Sequence, residues 1–288
     1  MWSFFFTYEL ILGKHRMNFF LDTKTTVAKT FYGGMGMDNE RLEGDFKKII
    51  LLKGIRNEKQ YIEDAKNEKL YFTNAEVFRK MGREHKEDLF GDALEGYYIR
   101  PYKEKKNFLN IKKGQKYAFD KEYLAKIDTR MKEVYISSFF YITIEEFKNN
   151  KIPESIINVF RNEFSDRKIA VFYGVQNLLD GLKRKHPNSF SWANYVLYQG
   201  IDEKPLIAEK AYDKDPRLGY RLKRKGLYEN QREFRICFHK SSFNDKFIEK
   251  NKDGFNLSYG YIGEEEAPSV TILDDINDLK HISIEEKK

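Results

Sequence analysis

The chain has 288 residues, 41% apolar and 34% charged, and its 52 basic and 45 acidic side chains leave a formal net charge of +7. Its 24 Phe and 19 Tyr are spread along the whole length, which excludes the aromatic-poor composition of a disordered chain. A single cysteine, Cys237, excludes an internal disulfide and a Cys-rich zinc site, and it argues for a reducing, cytoplasmic setting.

The opening MWSFFFTYELILGKHRM carries an apolar run of about a dozen residues, too short to span a bilayer. No cation precedes that run, so it is a poor signal peptide and predicts an aromatic first strand, with no membrane partner. Met17 offers a second translation start, which would leave residues 1–16 outside the protein. The GGMGM run, Gly33 to Met37, lacks the Lys-Ser/Thr of a phosphate loop and the full dinucleotide fingerprint, and it reads as a loop.

Ile49 to Leu52 predict a buried strand stopped by Gly54, followed by a helix over 57–67 capped by Asn57. Lys69–Thr73 predict a second strand, and Asn74 is placed to cap a helical turn through AEVFRKM. Residues 82–96 are polar and turn-rich, and YYIRPY and KYAF within 97–119 suit short strands. EVYISSFFYITI, Glu133 to Ile144, is the strongest strand signal, dense in β-branched and aromatic residues.

Pro153 opens a helix whose apolar positions Ile156, Ile157, Phe160 and Phe164 follow a 3.6 period. A buried strand KIAVFYGV, an amphipathic helix VQNLLDGLKRK and a strand WANYVLYQGI follow. REFRICF is a late strand, and YGYIG and PSVTIL supply short ones near the end. No regular strand–helix–strand alternation runs through the chain, so the fold class expected is α+β, with mixed, mostly antiparallel sheets and peripheral helices. No linker rich in Pro or Gly divides it. Residues 1–40 therefore read as an N-terminal extension or first strands, and 41–288 as one α+β domain.

The five histidines are scattered without ligand spacing, and no metal site is expected. Arg100 to Lys116 hold seven basic residues and one acid, and Lys214 to Arg235 hold eight and three. Such segments favour a nucleotide or nucleic acid, and they read equally as solvated lysine-rich surface.

The most informative stretch is LYENQREFRICF, Leu227 to Phe238. On a strand, Gln231 and Glu233 project from one face and Arg232 and Phe234 from the other. This Gln-x-Glu is similar to the late signature of ADP-ribosyltransferases, and Ser137-Ser138 in YISSFF resembles the Ser-bearing middle motif of that superfamily. LYFTNAEVFRKMGREHKEDLFGDALEGYY also resembles an uncharacterised bacterial family with a Phe-Asn-Asp-Pro-x-Glu-like segment, here Phe90-Gly91-Asp92-Ala93-Leu94-Glu95. That family ends in an aromatic-x-x-Glu-x-Glu-aromatic-Arg strand, which Tyr228, Gln231, Glu233, Phe234 and Arg235 follow with Gln in the first Glu position. The resemblance spans roughly residues 45–240.

The resemblance implies an ADP-ribosyltransferase-like fold using NAD as substrate, in a bacterial toxin or phage-defence effector. It implies Glu233 as the catalytic carboxylate and Gln231 as the residue that orients the acceptor. A hydroxyl of Ser137 or Ser138 would fix Glu233, and Phe139 would stack on nicotinamide. Lys53, with Arg56 just beyond, stands where the superfamily offers Arg or His to the dinucleotide. A point charge there cannot reproduce a bidentate guanidinium contact. Gln231 and Glu233 also read as the wet face of an edge strand, Ser137-Ser138 as a plain strand pair, Lys53 as a snorkelling surface lysine, and Asp92 and Glu95 as solvated turn residues. Two other functions fit the same residues: a nucleic-acid-binding protein or nuclease of a defence system, and a non-enzymatic nucleotide-binding sensor.

Overall fold

A computed structural model of the chain describes residues 5–12, 15–22, 46–84, 92, 94–101, 115–119, 123–128, 133–187, 190–200, 203–225, 228, 231–239, 249–250, 254–259, 270–281 and 283–287. The GGMGM run, Phe90-Gly91, Ala93, residues 102–114 of the first basic segment and Glu264–Glu266 lie outside them.

The aromatic opening forms β1 (Phe5–Leu12), paired antiparallel with β2 (His15–Asp22). β3 (Ile49–Arg56) begins with the four buried residues Ile49 to Leu52 and continues through Gly54 instead of stopping there. A Cβ at Gly54 would sit 2.2 Å from Phe164 Cδ1, so this glycine serves close approach of a ring and not chain termination. α1 (Lys59–Lys66) starts later than Asn57 suggested, with Glu58 at its N-cap and no side-chain cap bond.

β4 (Lys69–Asn74) leads into α2 (Ala75–Glu84), where Asn74 Oδ1 accepts the Glu76 N–H at 2.8 Å, the cap expected of it. β5 (Tyr98–Pro101), β6 (Gln115–Phe119) and β7 (Tyr123–Asp128) form a small antiparallel sheet with β7 central. β8 (Val134–Thr143) ends in a capping box, with Thr143 and Glu146 bonding each other's backbone N–H groups at the start of α3 (Ile144–Lys148).

α4 (Glu154–Glu163) starts after Pro153 and buries Ile156, Ile157 and Phe160, as the 3.6 period requires. β9 (Arg167–Phe172) and α5 (Val175–Lys185) follow. WANYVLYQGI divides into β10 (Phe190–Tyr195) and β11 (Leu197–Gln199): the Val196 N–H still donates to the Glu233 carbonyl at 2.9 Å, whereas Leu197 to Gln199 pair in parallel with Leu222 to Arg224. Then come α6 (Glu209–Lys214), a 3-10 turn Pro216–Arg221, β12 (Leu222–Arg224) and β13 (Glu233–His239). The chain ends in β14 (Glu249–Lys250), β15 (Gly254–Ser258), β16 (Val270–Leu273), a 3-10 turn Ile276–His281 and β17 (Ser283–Lys287).

The chain divides into two compact units, one of residues 1–69, 140–185 and 258–288, the other of 70–139 and 186–257. In the first, β17, β1 and β2 form an antiparallel sheet, and the end of β8 pairs with β3, β3 with β9, and β9 with β16, all antiparallel. Its core holds Leu51, Leu52, Ile142, Ala170 and Val171, with Phe140 against the rings of Phe160 at 5.0 Å and Phe164 at 5.7 Å. In the second, β14, β15, β4 and β8 are consecutive neighbours, and β13 pairs with both β8 and β10. Phe72 meets Phe238 edge-on at 4.8 Å and stacks on Phe255, and Trp192, Tyr220 and Cys237 pack with Ala75, Val134 and Ile136.

The architecture is mixed α+β with mostly antiparallel strand pairing, and β11 and β12 run parallel. Among the described residues no helix is long and apolar enough to cross a membrane.

Candidate functional site

The second unit buries a group of charged side chains that the sequence distributes over four segments. β13 is buried from Glu233 to Phe238, so it is an interior strand and its polar residues face protein. Glu233 is 4% exposed and Arg235 2%, which rules out the wet face of an edge strand. Two residues apart, they project from the same face. Arg235 is the hub: its Nε donates to Glu233 Oε1, and its Nη1 and Nη2 grip Glu95 Oε1 and Oε2 at 2.6 and 2.9 Å. Nη1 also donates to the Tyr220 carbonyl at 2.7 Å. This bidentate fork is the arrangement in which guanidinium–carboxylate bonds are strongest.

Glu95 reaches the hub from a tight loop. Asp92 Oδ1 accepts the Leu94 N–H, the Asp92 carbonyl accepts the Glu95 N–H, and Gly96 sits at φ +80°. Any Cβ at Gly96 would lie 2.5 Å from the Tyr220 ring, so only glycine serves there. Arg79 on α2 braces the loop by donating to the Glu95 carbonyl at 2.9 Å, and Glu76 in turn binds Arg79. Asp92 and Glu95, expected as solvated turn residues, are 2% and 1% exposed. Both are interior.

Lys223 closes the other side. β12 runs parallel to β11, with Lys223 opposite Tyr198. The Lys223 Nζ lies 2.9 Å from Glu233 Oε2, donates to Gln231 Oε1 at 3.0 Å and stands 4.4 Å over the Tyr228 ring. The Tyr198 hydroxyl accepts the Glu233 N–H at 2.9 Å. Gln231 lies ahead of the strand, because Arg232 adopts φ +45° and β13 begins at Glu233. The expected shared strand face is therefore absent, and Lys223 joins Gln231 to Glu233 instead.

The electrostatics follow from this geometry. Burial alone would raise the Glu233 carboxyl, but Arg235 and Lys223 outweigh it and hold the group down at about 2. Glu95 is pushed up by burial and by the charge of Asp92, against the pull of Arg235. Arg235, between two carboxylates, is locked in its charged form. Burial drives the Cys237 thiol well up, as befits a core residue and not a nucleophile.

The other candidates divide between the units. Ser137 is buried and Ser138 half-buried on β8, and Phe139 is buried beside them, all in the second unit. Strand alternation sends Ser137 and Phe139 to one face and Ser138 to the other. Glu233 takes its side-chain bonds from Arg235 and Lys223, so those cations and not a serine hydroxyl fix its direction. Lys53 lies opposite Ala170 and Arg56 opposite Arg167, both in the first unit.

In the second basic segment, Arg217 pairs with Asp215, Lys223 and Arg235 with Glu233, Arg224 with Asp92 and Lys225 with Glu203. Its charge surplus is largely matched within the unit. Among the described residues no cluster of His, Cys, Asp or Glu is arranged to hold a metal. The signal that could have exposed the network was the Arg of the Glu-aromatic-Arg run: on a buried strand, an arginine needs an acid partner from elsewhere.

The class these observations define is a mixed α+β protein whose second unit is organised around buried ion pairs. No protein-family model, no curated protein and no solved structure matches the chain.

Proposed function

We propose that the second unit cleaves NAD in the manner of ADP-ribosyltransferases, with Glu233 as the carboxylate at the reacting ribose, and that the chain acts as a bacterial toxin or defence effector. The observation that carries this reading is Glu233 itself, ionised at neutral pH and fixed in direction by Arg235 and Lys223. Heterolysis of the ribose–nicotinamide bond leaves the electron pair on nicotinamide and positive charge on the sugar, and water or an acceptor nucleophile completes the step by bonding to the anomeric carbon and losing a proton. A preorganised carboxylate stabilises that charge most in the transition state. Lys223 Nζ occupies Glu233 Oε2, so a ribose hydroxyl must take its place there.

A second reading rests on the same contact. Both oxygens of a buried Glu233 are already held by cations, which suits a scaffold that binds a nucleotide without turning it over.

The test is nicotinamide release from NAD, followed by chromatography, for the wild type, Glu233→Gln and Lys223→Met. The transferase reading expects release from the wild type and a loss of at least about 100-fold in Glu233→Gln, on the scale of removing one transition-state contact. Lys223→Met, which opens Oε2 while keeping the Arg235 contact, serves as the second variant if Glu233→Gln fails to fold, and it should retain release. Equal release from the wild type and a folded Glu233→Gln refutes the role of Glu233. Saturable NAD binding without release favours the sensor.

A further inference from the structure

An ADP-ribosyl group must pass to a nucleophile, and the surroundings of Gln231 decide which kind can arrive. The resemblance gives Gln231 the task of orienting the acceptor, which requires its amide to face whatever approaches Glu233. Its amide oxygen instead accepts from Lys223 Nζ at 3.0 Å, and the residue is 6% exposed. The backbone fixes that direction. The Gln231 N–H closes a turn onto the Tyr228 carbonyl at 2.9 Å, and Arg232 at φ +45° then carries the chain into β13.

Access to Glu233 is equally narrow. Glu233, Lys223, Tyr228, Arg235 and Glu95 are all buried. Both backbone polar groups of Glu233 are tied inward, its N–H to the Tyr198 hydroxyl and its carbonyl to the Val196 N–H, each at 2.9 Å. β13 pairs with β8 on one side and β10 on the other, so it offers no edge along which a second chain could lie. An acceptor side chain or base carried by a macromolecule must be docked and aimed before it reacts. Here the polar groups that would aim it are turned onto one another, Lys223 onto Gln231 and Glu233, and Arg235 onto Glu95 and Glu233.

The sugar in such a cleavage carries oxocarbenium-ion character and takes whichever nucleophile reaches it, so size and access select the acceptor. We propose that the acceptor is water and that the second unit hydrolyses NAD to free ADP-ribose. The inference rests on the reading of Glu233 as the carboxylate at the reacting ribose. The bond from the anomeric carbon to the nicotinamide nitrogen breaks with its electron pair going to nicotinamide. The water oxygen bonds to that carbon, and one water proton leaves to solvent. NAD and water thus give ADP-ribose, nicotinamide and a proton, with no further reactant. Lys223, displaced from Glu233 Oε2 by the ribose hydroxyl, keeps Gln231 Oε1 and the Tyr228 ring 4.4 Å away, so Gln231 stays turned inward.

The test incubates the full chain with NAD radiolabelled in its adenylate, alone and with a bacterial protein lysate, with agmatine, and with single-stranded DNA or RNA. Chromatography follows nicotinamide, free ADP-ribose and label on each acceptor and on the protein itself. Expected are equimolar nicotinamide and free ADP-ribose from the protein alone, with most of the label still free when an acceptor is present. Release that requires an acceptor, or more label on an acceptor or on the protein than free in solution, overturns the assignment of water and leaves the transferase reading standing. No release under any condition, or equal release from a folded Glu233→Gln, refutes the reading of Glu233 and the inference with it. The partition of label is read on the wild type, so a variant that fails to fold does not remove the test.

Discussion

Replacing Arg235 by Met tests whether the buried network holds the second unit together. The substitution keeps most of the side-chain volume and removes the cation. Glu233 retains Lys223 at 2.9 Å, so it keeps one counter-charge. Glu95 loses both of its guanidinium bonds, and Arg79 does not replace them, because it is bonded to the Glu95 carbonyl instead. Breaking a buried pair from one side costs about 3–5 kcal/mol, a large part of a typical domain's stability of about 5–15 kcal/mol. The assay is urea denaturation at pH 7 followed by tryptophan fluorescence, since Trp192 packs against Tyr220 in the same unit. The pH dependence has a fixed sign. A carboxyl whose folded pKa is raised penalises the fold above that pKa, so the deficit of Arg235→Met should shrink as acid protonates Glu95. The double variant Glu95→Gln/Arg235→Met should recover about 1–3 kcal/mol of the loss. A deficit below about 1 kcal/mol, or a double variant no better than the single, would refute the reasoning.

Acid should also separate the two carboxylates. Glu233, depressed to about 2, contributes stability that is full above its unfolded value and lost as pH falls from about 4.3 towards 2; Glu95, raised, acts with the opposite sign. Glu95→Gln should therefore remove the gain in stability that acidification brings above about 4.3, where Glu95 takes its proton first in the folded state, and leave the Glu233 loss between about 4.3 and about 2 in place, measured as the urea midpoint against pH. Gly96→Ala meets both a φ of +80° and the Tyr220 ring at 2.5 Å, and should cost about 2–4 kcal/mol by the same assay. Thr143→Ala removes the hydroxyl that accepts the Glu146 N–H at 3.0 Å and should cost about 1 kcal/mol, with hydrogen exchange rising first at the start of α3.

The legible parts of the fold were those with a local cause. Ile49–Leu52, YISSFFYIT and the Ile156-Ile157-Phe160 stripe announce burial through runs or periods within one segment, and Asn74 announces a cap two residues from its donor. Gly54 misled because a glycine that ends a strand and one that admits a ring look alike until Phe164, far along the chain, is in place. The site was legible only in part, for a related reason. Spacing singles out Gln231 and Glu233 as candidates, but Arg232 leaves the strand conformation and Lys223, which links them, lies hidden in a basic run. Glu95 and Arg235 stand 140 residues apart, and no periodicity spans that distance.

The network also separates two meanings of a buried charge. An ion pair kept only for stability has a cheaper substitute, since well-packed apolar residues of similar volume avoid the desolvation cost. Here one guanidinium is shared by Glu95 and Glu233, whose carboxyls are displaced in opposite directions. Opposed displacement of two acids is the pattern by which sites divide their acid and base roles, and structural ion-pair networks can produce it as well. The arrangement around Lys223 discriminates between them. If the cage of Glu233, Gln231 and Tyr228 is only a brace, Lys223→Met leaves an ionised carboxylate with one cation fewer and the second unit loses stability with or without NAD. If the cage is a site, the same variant exposes the oxygen a ribose hydroxyl needs, and added NAD should restore part of that loss through binding linkage. A stabilisation by NAD larger in Lys223→Met than in the wild type supports a site; an equal or absent effect supports the brace.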